Sequence, residues 1–174
     1  MLSISKFSPR SFDWSLLIAT MLLVVMGLAS IYSVDLSRGG DIIYFKKQII
    51  AFGIGVVLLL FTSLNQHTIW RYLAKWIYLL SLLLLTGVLL FGDTIRGTRG
   101  WFSLAGFSFQ PVEIAKIALI LMLAYVISGF GRRFERPLFF IGTGIIAFIP
   151  FALTTIQPDL GSALLLLLVW FGLI

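Results

Sequence analysis

Charges divide this chain into apolar stretches close to the length of a membrane crossing. Between Asp13 and Asp35 lie 21 uncharged residues, 14–34, and between Lys47 and His67 lie 19, 48–66. Lys75 to Asp93 leaves 17, Lys116 to Arg132 leaves 15, Arg136 to Asp159 leaves 22, and 160–174 adds a last 15. A helix rising about 1.5 Å per residue needs about 20 residues to cross a hydrocarbon core of about 30 Å. The first, second and fifth runs meet that length directly. The third meets it by starting near Tyr72, with Lys75 snorkelling. The fourth meets it by starting near Pro111, which brings Glu113 and Lys116 to the rim of the membrane. These runs predict an all-α polytopic membrane protein, a single transmembrane domain with six helices over about 14–34, 48–66, 72–92, 111–131, 137–157 and 159–174.

The sixth run ends on Trp170-Phe171-Gly172-Leu173-Ile174, with no polar or basic stop. A helix finishing in lipid leaves its last carbonyls unsatisfied. The expectation is therefore the front part of a longer protein, cut within its sixth helix.

Composition supports the same class. The chain is 60% hydrophobic and 11% charged, against about 45–50% and about 25% in soluble domains. A disordered chain and a water-soluble globule are excluded, and the absence of cysteine excludes a disulfide scaffold. The net charge of +6 comes from basic residues scattered between apolar runs, the pattern of membrane-protein loops rather than of a nucleic-acid surface. Lys6 and Arg10 precede the first run, whose 21 residues exceed the about 7–15 of a cleavable signal, so it reads as a retained anchor.

With the N-terminus cytoplasmic, the inside segments carry Lys6, Arg10, Arg71, Lys75, Arg132, Arg133 and Arg136. The outside segments then carry Arg38, Lys46, Lys47, Arg96, Arg99 and Lys116. The short 132–136 loop is the clearest inside signal and favours that orientation. Trp14, Tyr32, Trp70, Tyr72 and Trp76 lie near run ends, where an aromatic belt is expected.

The long non-apolar stretch, 93–110, holds Arg96, Arg99, Gly97, Gly100 and Gly106, yet also Trp101, Phe102, Phe107 and Phe109. It is expected to fold back onto the bundle or dip into the interface. Gln110-Pro111-Val112-Glu113-Ile114-Ala115-Lys116 then opens the fourth helix. Proline suits the first helical position, making Gln110 the N-cap and placing Glu113 at the positive end of the helix dipole. Glu113 and Lys116, three apart, share one face. They read either as a cap with a locally paired lysine or as charges facing a substrate pathway inside the bundle.

Gln157-Pro158-Asp159-Leu160-Gly161 looks like a second copy of that device. Alternating helix directions put both acidic helix starts on the outer face, beside Arg96 and Arg99. The expected polar cluster is Arg99, Glu113, Lys116 and Asp159. Against it stands a reading as separate interfacial caps.

At these residues the chain resembles the SEDS family, the shape, elongation, division and sporulation proteins. The resemblance rests on Gly97-Thr98-Arg99-Gly100-Trp101, Phe109–Lys116 and Gln157–Gly161, three segments in the family's order. Phe12-Asp13-Trp14, Gly27–Ser33 and Phe45–Gln48 are similar to its RodA branch. Val112 departs from the serine usual in the family. The resemblance implies a bundle of about ten helices that polymerises lipid II as a peptidoglycan glycosyltransferase beside a class B penicillin-binding protein. It implies a multi-pass protein of the bacterial cytoplasmic membrane, in contact with membrane lipid and not with nucleic acid. The family's essential aspartate lies in a later outward loop, so no catalytic residue is assigned here and Asp159 is not given that role; the fragment alone is expected to be inactive.

In the implied reaction Arg99 or Lys116 would pair with the leaving diphosphate. Arg96, Trp101, Gln110, Pro111, Gln157, Pro158 and Gly161 would support them, and Glu113 would hold Lys116. No cofactor is identified. A divalent cation on the diphosphate fits the chemistry, but no ligand set is visible: His67 is the single histidine and there is no cysteine. Gly53/Gly55 and Gly142/Gly144 lack the spacing of a helix-dimer face, and no nucleotide-binding motif occurs. A lipid-linked sugar flippase and a non-catalytic scaffold of wall synthesis fit the same charged residues.

Overall fold

The computed structural model describes residues 14–64, 67–95, 97–104, 107–130 and 137–174. Arg96, Gly106 and the basic 132–136 segment lie outside the described residues, as do Lys6 and Arg10. The chain divides into two units, 1–66 and 67–174.

The first unit is a helical hairpin, α1 (Trp14–Ser37) and α2 (Ile43–Leu64). Both helices are apolar around their whole circumference, and the buried residue of α1 is polar, Asp35. That pattern suits surroundings of lipid rather than water. The Asp35 carboxylate accepts a 2.9 Å bond from the Phe45 N–H, satisfying one of the donors that every helix start leaves open. The turn between the helices holds Gly39 at φ +123° and Gly40 at φ +85°, values that favour glycine. The Arg38 and Gly40 N–H groups both donate to the Asp35 carbonyl. Helix α2 opens at Ile43, ahead of the expected 48, because Lys46 and Lys47 sit in its first turns. Long lysine stems allow such residues to sit within a helix whose end lies at the interface.

The second unit contains α3 (His67–Phe91), α4 (Pro111–Phe130), α5 (Pro137–Ile156) and α6 (Leu160–Leu173). Helix α3 begins before the expected 72 for the same reason: Arg71 and Lys75 are helical. Among the described residues five helices, α1 to α5, are long and apolar enough to cross a membrane, and α6 is a shorter apolar helix. The core of the unit is Tyr78, Leu85, Val112, Ala115, Leu119, Leu123, Ala147 and Leu166. One polar contact inside it follows from a proline. Pro150 lies within α5 and has no N–H to offer the Ile146 carbonyl one turn back. The Tyr78 hydroxyl donates to that carbonyl at 2.7 Å, so the freed acceptor is paired where no water could reach it.

Between α3 and α4 the 93–110 stretch is a small antiparallel sheet, β1 (Asp93–Ile95), β2 (Thr98–Leu104) and β3 (Phe107–Phe109), in the order β1-β2-β3. Asp93 pairs with Trp101, Thr94 with Arg99 and Ile95 with Thr98; Phe102 pairs with Phe109 and Ser103 with Ser108. Gly92 starts the turn out of α3. A Cβ there would stand 2.3 Å from the Val88 carbonyl oxygen, so the chain can leave the helix this way only through glycine. The sheet folds back onto the helices, and the Phe102 ring tip approaches Gly87 of α3 closely.

Candidate functional site at the meander end of the second unit

Arg99 sits on β2, eight residues past the end of α3. Its Nε donates to the Gly92 carbonyl at 3.2 Å and one terminal nitrogen to the Leu90 carbonyl at 3.0 Å. The guanidinium therefore caps α3, meeting the orphan carbonyls at the negative end of the helix. These bonds use part of its donor fork, and the residue is exposed, so the remaining N–H groups face accessible space. Its backbone N–H donates to the Gln157 carbonyl at 3.3 Å, which ties β2 to the turn between α5 and α6.

Gln157 is 1% exposed. Its Nε2 donates to the Leu85 carbonyl inside α3 at 3.2 Å. Its Oε1 lies against Gly100, where a Cβ would come within 3.2 Å. One side chain thus holds α3, the sheet and the α5–α6 turn together, and Gly100 is the residue that allows the approach.

Asp159 is the N-cap of α6, with Oδ1 accepting from the Ser162 N–H at 3.0 Å. Its other oxygen, Oδ2, accepts from Gln110 Nε2 at 3.1 Å. The carboxylate thus links the starts of α4 and α6. Gln110 stands at the N-cap position of α4, directly before Pro111, with its carbonyl accepting from the Glu113 N–H, and its side-chain Nε2 reaches across to Asp159. One expectation changes here. Gln157-Pro158-Asp159 is not a copy of Gln110-Pro111: Pro111 is the first residue of α4, whereas Pro158 lies outside α6, which starts at Leu160.

Glu113 and Lys116 form a separate pair on α4, with Lys116 Nζ 2.8 Å from Glu113 Oε1. Val112, Ala115 and Leu119 carry the buried face of that helix, and the Glu113 side chain is 59% exposed. Arg99, Gln157, Gln110 and Asp159 are therefore gathered at one end of the unit, while Glu113 and Lys116 stand beside them on α4 without a bond to either Arg99 or Asp159. Trp101 is half-buried opposite Asp93, and Gly161 is exposed. Among the described residues no three His, Asp or Glu side chains form a metal-holding group.

Sequence reasoning missed the capping of α3 by Arg99, and it missed Asp35 as a cap for α2. For Asp35 a signal existed: an acid closing an apolar run, followed closely by Gly39-Gly40. For Arg99 none did, because its partners are main-chain carbonyls.

Apolar helices of spanning length, capped at one end by a sheet and a buried polar network, define a multi-pass membrane protein. Residues 12–174 match the family of FtsW, RodA and SpoVE, described as cell cycle protein, and the chain belongs to this family, the SEDS proteins. It is 35% identical over 156 residues to the peptidoglycan glycosyltransferase RodA of Treponema pallidum, covering 87% of this chain and 35% of that protein. It is 32% identical over 180 residues to a probable peptidoglycan glycosyltransferase FtsW of Thiomicrospira cyclica, covering 97% and 45%. The chain thus spans less than half the length of these relatives. The crystal structure of the Thermus thermophilus rod shape determining protein RodA superposes with a TM-score of 0.73 at 32% identity, over 94% of this chain and 52% of that one. A chain of a peptidoglycan synthase complex that coordinates polymerization and crosslinking superposes with a TM-score of 0.78, over 94% and 46%.

Proposed function

We propose that the protein polymerises lipid II as a peptidoglycan glycosyltransferase, with a class B penicillin-binding protein as its crosslinking partner. In that reaction the 4-hydroxyl of one lipid-linked sugar attacks the anomeric carbon of another, and the diphosphate departs with the bonding pair. The reaction needs a base at the hydroxyl and cations at the diphosphate. The residues described here supply the second requirement, and the base comes from outside them. The observation that carries the reading is Arg99: its guanidinium is fixed by two carbonyls at the end of α3, beside the Gln110–Asp159 link, with donors left over for a phosphate oxygen. Lys116, one turn into α4, is the second cation. In the cytoplasmic membrane with the N-terminus inside, this end of the bundle faces outward, where wall polymer is made.

Full-length protein incubated with lipid II alone tests the activity. Glycan strands are expected; a change of lipid sidedness in vesicles without strands would mark a flippase, and neither would mark a scaffold. Arg99→Ala should lower polymerisation by about 10²-fold or more while membrane insertion stays intact. Arg99→Lys keeps the charge and loses the two-carbonyl fork, so it separates phosphate binding from capping of α3. Normal strand synthesis in Arg99→Ala overturns the assignment. This stretch has no cysteine, so Ser108→Cys on β3 reports orientation directly: labelling by an impermeant thiol reagent from outside is expected, and labelling only after lysis would invert the topology.

A further inference from the structure

The opposite end of α3 carries a feature that the proposed reaction does not use. Arg71 lies about 28 Å along the helix from Leu90, at the usual rise per residue. Around it three adjoining cavities of about 390, 460 and 270 Å³ open between α3 and α4, all of them lined by Arg71 and Tyr125. Thr68, Lys75 and Ser128 complete the polar lining. Arg71 and Lys75 are four residues apart and therefore on one helix face. The Lys75 ammonium lies 5.0 Å from the centre of the Tyr125 ring, a cation–π contact.

Among the described residues, neither cation has an acidic partner. Helices α3, α5 and α6 contain no acid, and α4 contains one, Glu113, already paired with Lys116 at the far end. Tyr72 and Trp76, 76% and 71% exposed on the same stretch of α3, are residues suited to the headgroup level of a bilayer. An uncompensated cation pair at that depth, in a cavity between two spanning helices, matches the chemistry of a lipid phosphate.

We propose that the Arg71–Lys75–Tyr125 cavity binds the phosphate of an anionic membrane phospholipid, the two cations serving as its counter-ions and the acyl chains lying along the apolar flanks of α3 and α4. The test uses full-length protein in nanodiscs of equal phosphatidylglycerol and phosphatidylcholine, with co-purifying lipid counted by native mass spectrometry. Wild-type protein should retain the anionic lipid about tenfold or more over the neutral one. Arg71→Gln and Lys75→Gln should each reduce that preference about fivefold, with Arg71→Lys keeping most of it. Equal retention of the two lipids by wild-type protein overturns the site, a reading that needs no variant to fold. An unchanged preference in a folded Arg71→Gln/Lys75→Gln double variant overturns it as well. Displacement of the lipid by millimolar inorganic phosphate would instead assign the cavity to a soluble anion and end the lipid proposal.

Discussion

Two segments of this protein begin with the same dipeptide and use it differently. At Gln110-Pro111 the proline opens α4, where its missing N–H costs nothing, and the glutamine amide leaves the helix to bond Asp159. At Gln157-Pro158 the proline lies outside α6, Asp159 performs the capping, and the glutamine is buried with its amide in α3. The residues on either side of Pro158 are both anchored: Gln157 at Leu85 and Arg99, Asp159 at Gln110 and Ser162. The lesson is that one glutamine reaches across the surface of the bundle while the other holds its interior.

The largest break in that comparison should come from Gln157. Gln157→Ala removes a buried amide, leaves the Leu85 carbonyl without its second donor and opens a void beside Gly100. A loss of about 2–4 kcal/mol is expected, read as a large fall in thermal midpoint of the full-length protein in detergent. Gln110→Ala, at a half-buried site, should lose about 1 kcal/mol. Equal losses at the two glutamines would mean that the buried one has no special role. Gly100→Ala tests the same contact from the other side. Its Cβ would press on Gln157 Oε1 at 3.2 Å, and a loss of about 1–2 kcal/mol is expected.

Asp159 joins the two segments, so the next effect is a coupling. Asp159→Ala removes the cap of α6 and should lose about 1 kcal/mol. Asp159→Asn, which can still accept from the Ser162 N–H, should lose less. Combined with Gln110→Ala, the double variant should fall short of the sum of the single losses by about 0.5–1.5 kcal/mol. Strict additivity would show that the 3.1 Å bond between them contributes nothing.

Much of this arrangement is legible in the residues, and the part that is not has a physical reason. Uncharged run lengths locate all six helices. They misplace the starts of α2 and α3 because Lys46, Lys47, Arg71 and Lys75 have stems long enough to enter a helix whose end lies at the interface. The 93–110 stretch reads as irregular because its glycines and aromatics follow no alternation. Its strands are defined by pairing and by main-chain bonds such as Arg99 to Gln157, which no local pattern announces. At the site, alternating helix direction predicts a polar cluster of Arg99, Glu113, Lys116 and Asp159 at one end. Asp159 bonds Gln110 and Arg99 bonds main-chain carbonyls, contacts that helix direction does not specify, while Glu113 and Lys116 bond each other because helical spacing brings them together first.

That pair gives the smallest effect and the sharpest contrast with Gln157. The sequence reads Glu113 as the group that holds Lys116, but the Glu113 side chain is 59% exposed and Lys116 is the more covered of the two, at 22%. An ion pair so open to solvent is screened and restrains two flexible side chains, so its net contribution is small. Glu113→Gln should shift stability by less than about 0.5 kcal/mol, within reach of careful melting curves at low and high salt. If Lys116 serves the diphosphate, freeing it from Glu113 should change the apparent KM for lipid II more than it changes the melting point. A large loss of stability would place Glu113 among the groups that hold α4, alongside Gln157. A change in neither quantity would leave the pair as surface charge and remove Lys116 from the proposed reaction.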